Sequence, residues 1–98
     1  MRIQIPWNVQ LDHLSCVGDR TNLYSLDKIV IGERTIVAQE AYLCTGSHDF
    51  KHPAKPLKTA PIEIGNDCFI GARAFVLPGV KVSDGQIVGA AELVRSNN

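Results

Sequence analysis

The sequence has no excess of charge of either sign and no long apolar run. Its 98 residues carry ten Lys and Arg against ten Asp and Glu, so no net field favours nucleic acid or an anionic membrane. No apolar run approaches the length of a transmembrane helix, and residues 1–6 lack the apolar segment of a signal peptide. We therefore expect a cytoplasmic protein that neither binds nucleic acid nor inserts into a membrane.

Cysteines are few and unpaired in their spacing. The chain has Cys16, Cys44 and Cys68, an odd number with no two placed at the interval of a metal knuckle. We interpret the three thiols as small core or corner residues of a protein in a reducing compartment.

What the chain does contain is a strict period of six. Neither a helix nor an ordinary strand returns its apolar residues at this interval, whereas a left-handed parallel β-helix does, because three hexads form one triangular coil. A β-sandwich with accidental spacing would need many coincidences. The anchors are Leu11, Val17 and Leu23, then Ile31, Val37 and Leu43, and finally Ile64, Ile70, Val76, Val82, Val88 and Val94.

The register divides the chain into an entering strand at 3–10, coils at 11–28 and 31–48, and almost two further coils from 62. Two extra residues are expected to bulge at Asp27–Val30. Residues 49–61 are basic and contain three prolines, so they are predicted to leave the prism as a loop. Glycine often follows an anchor, where we expect a sharp bend. Residues 1–98 are thus predicted to form one all-β domain, a single-stranded β-helix of about four coils.

A prism this short has a small core and two open ends. Its flat faces offer limited apolar burial, and its end coils present unpaired backbone edges. Because a threefold ring of prisms closes on itself, we expect a homotrimer.

His48 is the strongest candidate for chemistry. It ends the coil where the chain departs into the proline-rich segment, and small residues precede it. An imidazole titrates near neutrality, so at a rigid and partly exposed corner it can take a proton from an alcohol. The alternative is a surface histidine that is hydrogen-bonded to a corner.

Several segments resemble the hexapeptide-repeat O-acetyltransferases, above all the colanic-acid and capsule-type sugar acetyltransferases, which are similar to galactoside and maltose O-acetyltransferases. The resemblance covers nearly the whole chain. The most specific segments are Leu-Cys-Thr-Gly-Ser-His-Asp at 43–49 and Pro-Gly-Val at 78–80. The others are Pro-Trp-Asn at 6–8, Asp-Arg-Thr-Asn-Leu-Tyr at 19–24, Pro-Ile at 61–62, Ile-Gly at 64–65 and Phe-Val-Leu at 75–77.

The resemblance implies acetyl transfer from acetyl-CoA to the hydroxyl of a sugar or nucleotide-linked sugar, at a site between the subunits of a trimer and without a metal. His48 matches the family's catalytic base, and Asn22 and Asp49 match acceptor-side positions. Phe69 stands where a tryptophan often packs on the pantetheine arm. The remaining positions implied for CoA are Ala72, Gly79, Ala90, Arg95 and Ser96.

Compared with this family, the chain is expected to lack a segment before Pro6-Trp7 and a tail after the last coil. Arg95-Ser96 stands in place of Thr-Lys, and Glu92 in place of a common serine. Two other functions therefore stay open. One is a trimeric scaffold without catalysis. The other is a γ-type carbonic anhydrase, which would need His13, His48 and His52 to converge on zinc.

Overall fold

A computed structural model describes residues 1–48 and 51–95 and shows fifteen short strands in them, together with a 3₁₀ turn at Pro6–Asn8. No helix in these two ranges is long and apolar enough to cross a membrane. The strands are β1 Arg2–Ile3, β2 Val9–Leu11, β3 Cys16–Val17, β4 Asn22–Tyr24, β5 Ile29–Ile31, β6 Ile36–Val37, β7 Tyr42–Cys44, β8 Gly46–His48, β9 Leu57–Thr59, β10 Ile62–Ile64, β11 Phe69–Ile70, β12 Phe75–Val76, β13 Lys81–Val82, β14 Ile87–Val88 and β15 Leu93–Val94.

Three parallel sheets form the faces of a triangular prism. Face A has the strand order β1-β4-β7-β12-β15, face B the order β13-β10-β5-β2, and face C the order β14-β11-β6-β3. Four coils each contribute one strand to every face, and β1, which precedes the first coil, adds the fifth strand of face A. The structure therefore has the four coils of the predicted left-handed β-helix. The expected entering strand over 3–10 is instead two strands separated by the 3₁₀ turn, because Pro6 starts that turn.

The anchors of the six-residue period form the core. Leu23, Leu43 and Val76 align across face A and are fully buried, and the anchors of the other two faces stack in the same way. Leu11 is the exception, with 43% of its surface exposed, because no complete coil lies beneath the first one. Small residues before the anchors fill the corners, where the buried Thr35 hydroxyl donates to the Gly65 carbonyl at 2.6 Å.

Four of the glycines that follow anchors pack against the backbone of the next coil, namely Gly18, Gly32, Gly65 and Gly71. A Cβ on Gly32 would lie 2.5 Å from the backbone carbon of Gly65 in the next coil. The left-handed corner positions lie elsewhere in the hexad and are mostly not glycine. They include Arg20 (φ 57°), Arg34 (φ 54°) and Gly79 (φ 82°).

Two corners carry exposed ion pairs that link successive coils. At the corner between faces C and A, the Glu40 carboxylate accepts hydrogen bonds from Arg20 Nη2 at 2.8 Å and from Arg73 Nε at 3.1 Å. At the corner between faces B and C, Arg34 binds both carboxylate oxygens of Asp67, at 2.8 and 3.1 Å. These pairs connect residues that are up to 33 positions apart in sequence.

The corner between faces A and B, here named the A/B corner, is the irregular one. The extra residues of the first coil lie in the turn 25–28, not at Asp27–Val30 as predicted, because Ile29 and Val30 already belong to β5. In the second coil the chain leaves the prism as predicted, but as a hairpin: β8 pairs antiparallel with β9, placing His48 opposite Leu57. We name the described residues of this hairpin, 46–48 and 51–59, the arm.

Candidate functional site

The A/B corner brings the unusual segments of the chain into one line. Its four levels are the 3₁₀ turn at Pro6–Asn8, the turn 25–28, the arm, and the Pro-Gly turn at 78–79. The other two corners repeat one tight turn at every level. The side chains along the A/B corner therefore lie at four successive coil levels of the prism.

His48 ends β8 and is exposed on the arm. Its Nδ1 lies 2.9 Å from the backbone carbonyl oxygen of Lys55, across the hairpin. A carbonyl oxygen can only accept, so Nδ1 carries the proton and donates it. The neutral ring then has its basic lone pair on Nε2, the tautomer that a general base needs.

The root of the arm is fixed by Thr45, which is fully buried. Its hydroxyl donates to the Tyr24 carbonyl at 2.6 Å and accepts from the Asp27 backbone N–H at 3.0 Å. The next residue must be small, because a Cβ on Gly46 would lie 3.1 Å from the Tyr24 ring and 3.0 Å from Leu26 Cδ1. The Thr-Gly pair before His48 therefore sets the angle at which the arm leaves the prism. The sequence analysis included Thr45 and Gly46 only as part of the segment at 43–49 and gave them no role of their own.

Asn22 lies at the outer surface of face A, paired with Arg2 below and Tyr42 above. Tyr42 stacks on Phe75 with ring centroids 4.9 Å apart and planes 13° apart, and Tyr24 lies against Tyr42 at 6.3 Å. Burial is the main reason why the pKa of Tyr42 is raised, so this phenol stays neutral at physiological pH. The sequence analysis missed this aromatic column.

The positions implied for CoA fall into two groups. Phe69 lies on face C, 41% exposed, in an outward column with Cys16, Ile36 and Ile87. Ala72 and Ala90 are stacked at the corner between faces C and A. Ala91 N donates to the Ala72 carbonyl at 2.8 Å. Within the described residues, the Ala90 carbonyl is the last in this series of backbone carbonyl groups along the corner.

The second group lies toward the last coil. Gly79, which has a left-handed backbone, and Arg95, which is exposed, border the same cavity of about 490 Å³. The same cavity is also lined by Ile87 and Val88 of face C and by Glu92, so it lies at the last coil and reaches all three faces. Asp49 and Ser96, the remaining predicted site residues, lie outside the described residues.

One chain therefore does not assemble the predicted site. His48, Asn22, Gly79 and Arg95 are on face A or the A/B corner, whereas Phe69 is on face C. The other members of that second set are Ala72 and Ala90. In a triangular prism the A/B corner, which carries the arm and His48, is opposite face C, which carries Phe69, so these two residues do not meet within one copy.

The three histidines do not converge within a chain either. His13 lies in the turn between β2 and β3, at the corner between faces B and C, while His48 and His52 belong to the arm. Among residues 1–48 and 51–95 no group of three or more His, Cys, Asp or Glu side chains is close enough to hold a metal ion.

Comparison with known proteins supports this assignment of the fold. Residues 61–90 match the model of the hexapeptide repeat of succinyl-transferase. The chain is 42% identical over 94 residues to WcaF of Escherichia coli (strain K12), a protein assigned by name to colanic acid biosynthesis as an acetyltransferase. The alignment includes 96% of this chain and 52% of WcaF, so the chain spans about half the length of this relative.

Two solved structures share the architecture. A maltose O-acetyltransferase from Clostridium difficile 630 superposes with a TM-score of 0.84 at 22% identity, covering 92% of this chain and 50% of that one. AntD, an N-acyltransferase from Bacillus cereus solved with a dTDP-linked amino sugar and coenzyme A, gives 0.72 at 19% identity, covering 97% and 68%. With its period of six, its four triangular coils and its likeness to WcaF, the chain belongs to the hexapeptide-repeat family of left-handed β-helix proteins.

Proposed function

We propose that this chain forms the β-helix of an O-acetyltransferase, which moves an acetyl group from acetyl-CoA to a hydroxyl of a sugar or nucleotide-linked sugar. The observation that carries the proposal is the bond from His48 Nδ1 to the Lys55 carbonyl, at 2.9 Å. This bond orients the ring and, in the neutral imidazole, leaves the basic lone pair on Nε2, which supports a role as general base. The likeness to WcaF supports the same class of reaction.

In the proposed reaction, His48 Nε2 takes the proton of the acceptor hydroxyl. The acceptor oxygen bonds to the acetyl carbon while the C–S bond of the thioester breaks. The imidazolium then returns its proton to the departing thiolate, so that protons and electrons balance without a metal or a covalent enzyme intermediate. Asn22, on the adjacent outer surface of face A, would orient the acceptor through its amide, and Asp49 is proposed for the same side.

The donor would lie along face C and its corner with face A. The exposed ring of Phe69 offers an apolar wall for the pantetheine arm, and the Ala90 carbonyl can accept from one of its amides. Gly79 and Arg95 border the cavity at the last coil, where a guanidinium suits a phosphate group. Ser96 is proposed for the same phosphate end of the ligand.

Because His48 and Phe69 are on opposite sides of the prism, the proposed site needs a second copy of the chain. Two faces are suited to this contact. Face A presents Tyr42, Phe75 and Leu93, and face C presents Ile36, Phe69 and Ile87, whereas face B carries the polar pair Glu63 and Lys81, 3.7 Å apart. Pairing face A of one copy with face C of the next closes a ring of three. We place this trimer in the cytoplasm, where the three free thiols stay reduced.

Mixed trimers test the shared site. His48→Ala removes the base. Ala90→Trp fills the corner proposed for the pantetheine part of CoA, and the substitution does not change a buried core residue. Each variant alone should be inactive, but trimers reassembled from equal amounts should regain about a quarter of wild-type activity, because every mixed trimer contains one intact site. No recovery in trimers that are shown by mass to be mixed would contradict a site shared between copies.

Ligand binding tests the donor independently of turnover. CoA at a hundred times its Kd should stabilise the trimer by about 2.7 kcal/mol, which a thermal-shift measurement detects. The same measurement on Ala90→Trp should show no shift. A scaffold without a CoA site would show no shift in the wild-type protein either.

A further inference from the structure

Trp7 is a large apolar side chain with no place in the core or in the proposed trimer contact. Its side chain is 85% exposed, although the turn that carries it is firmly held. Asn8 Nδ2 donates to the Ser25 carbonyl at 2.9 Å, and the Ser25 hydroxyl both accepts from Ile5 N and donates to the Ile5 carbonyl, at 2.9 and 3.0 Å. The indole is therefore presented to solvent by a rigid support.

Beside Trp7 lies a groove of about 410 Å³ on the face B side of the A/B corner. Three residues with polar side chains, Asn8, Gln10 and Lys28, line it together with Trp7, and the apolar remainder is Val9 and Val30. The groove thus combines one flat aromatic surface with several hydrogen-bonding groups. An apolar helix or a lipid chain would find only one large apolar residue here.

The groove lies on the same edge of the prism as His48. The 3₁₀ turn is two coil levels below the arm, which at the spacing of β-strands is about 10 Å. The two levels are connected: the turn is bonded to Ser25, and Asp27 N in the same loop is bonded to Thr45 at the root of the arm. Face B is also the polar face, so it stays outside the contact proposed between faces A and C.

We propose that Trp7 and this groove bind a pyranose ring of an extended sugar acceptor, one or two rings away from the ring that is acetylated. A pyranose has an apolar C–H face, whose partial positive charge suits the negative face of an indole, and a rim of hydroxyl groups that suits amides and an ammonium group. The inference rests on the proposed function, since it extends the acceptor site of the same reaction. It makes the preferred acceptor an oligosaccharide rather than a single sugar.

Trp7 is the only tryptophan of the chain, so its fluorescence reports on the groove directly. We expect titration with maltotetraose to shift the emission to shorter wavelength and to saturate, and galactose to bind at least about tenfold more weakly. A control variant, Trp7→Phe with Lys81→Trp, moves the tryptophan to the upper end of the same polar face. That control should not respond, and an equal response there would overturn the proposal.

The same measurement separates other occupants of the groove. Saturation by dTDP without a response to maltotetraose would identify a nucleotide site and overturn the proposal. An emission change that follows protein concentration alone would identify a contact between copies and would overturn it too. Trp7→Ala should also lower the ratio of kcat/KM for maltotetraose to that for galactose by about tenfold, while Trp7→Phe retains most of it.

Failure of this inference is distinguishable from failure of the proposed function. Fluorescence needs no acetyl transfer, and the CoA shift needs no acceptor. Suppose that CoA binds and His48→Ala loses turnover, but Trp7 does not respond to maltotetraose. This result would overturn the inference of a sugar-binding groove and would still support the proposed acetyltransferase activity.

Discussion

His48 and Lys55 are joined across the arm by a bond from the imidazole Nδ1 to a backbone carbonyl, not to a side chain. The backbone of Lys55 is left-handed, with φ 46°, and its N–H is bonded to the His52 carbonyl at 2.9 Å. The tip of the arm thus forms a turn that points a carbonyl at the ring. The backbone of the arm therefore contributes to the orientation of the proposed base.

Removing the imidazole should remove catalysis and little else. We expect His48→Ala to lower kcat by about 10² to 10⁴, while the melting temperature and the affinity for CoA change little, because the side chain is exposed and outside the core. Lys55→Ala is the matched control, since it retains the carbonyl that holds His48. Turnover that barely changes in His48→Ala, or a large loss of stability in it, would count against the assignment of a general base.

Thr45 should be as important for the arm as His48 is for the reaction. Thr45→Val keeps the shape but removes the buried hydroxyl, leaving the partly buried Asp27 N–H without its acceptor. We expect a loss of about 1 to 3 kcal/mol in the free energy of unfolding and lower activity, measured by denaturant unfolding and acetylation assays. Ser47→Ala, two residues along on the exposed strand, should change stability by less than about 0.5 kcal/mol. A fully stable Thr45→Val protein would show that the hydroxyl does not hold the arm.

The repeat was predictable because each anchor, such as Val76, obeys a local rule of spacing that needs no knowledge of its partners. The strand pairing within the arm was not predictable from the sequence. The strands β8 and β9 are short, and their register depends on the backbone turn between them rather than on an apolar pattern. Nor did the sequence analysis show the stack of Tyr42 on Phe75, which are 33 residues apart and meet only after the coils are aligned. Assigning every third hexad to the same face of the prism would have placed Tyr42 and Phe75 together on face A. It would also have placed Phe69 on face C, away from His48.

The glycines after the anchors should differ sharply in their tolerance of substitution, although they occupy the same position in the hexad. Gly32→Ala places its Cβ 2.5 Å from the backbone of Gly65, which cannot move without shifting a coil. We expect a loss of about 1 to 3 kcal/mol, the usual range for overpacking. Gly89→Ala meets only Glu92 Oε1, at 3.3 Å, and should change the free energy of unfolding by less than about 0.5 kcal/mol. Equal losses in both variants would mean that the bend, rather than the contact between coils, requires glycine.

The ion pairs at the corners predict how stability responds to acid. Hydrogen bonds from Arg20 and then Arg73 hold the pKa of Glu40 below its ordinary 4.5, and Arg34 likewise holds the pKa of Asp67 below 3.8. A carboxylate with a lowered pKa in the folded protein stabilises it fully above the ordinary value, and this stabilisation is lost as the pH falls through the lower, folded value.

The melting temperature should therefore begin to fall below about pH 4.5, and the fall should be smaller in Glu40→Gln, which has no proton to gain. Because all these groups are exposed, 1 M NaCl should reduce the difference between the two proteins. Asp84→Asn is the control, since the Asp84 carboxylate accepts from a backbone N–H rather than from an arginine. An acid profile of Glu40→Gln that superposes on that of the wild type would show that the Arg20–Glu40–Arg73 column does not contribute to stability.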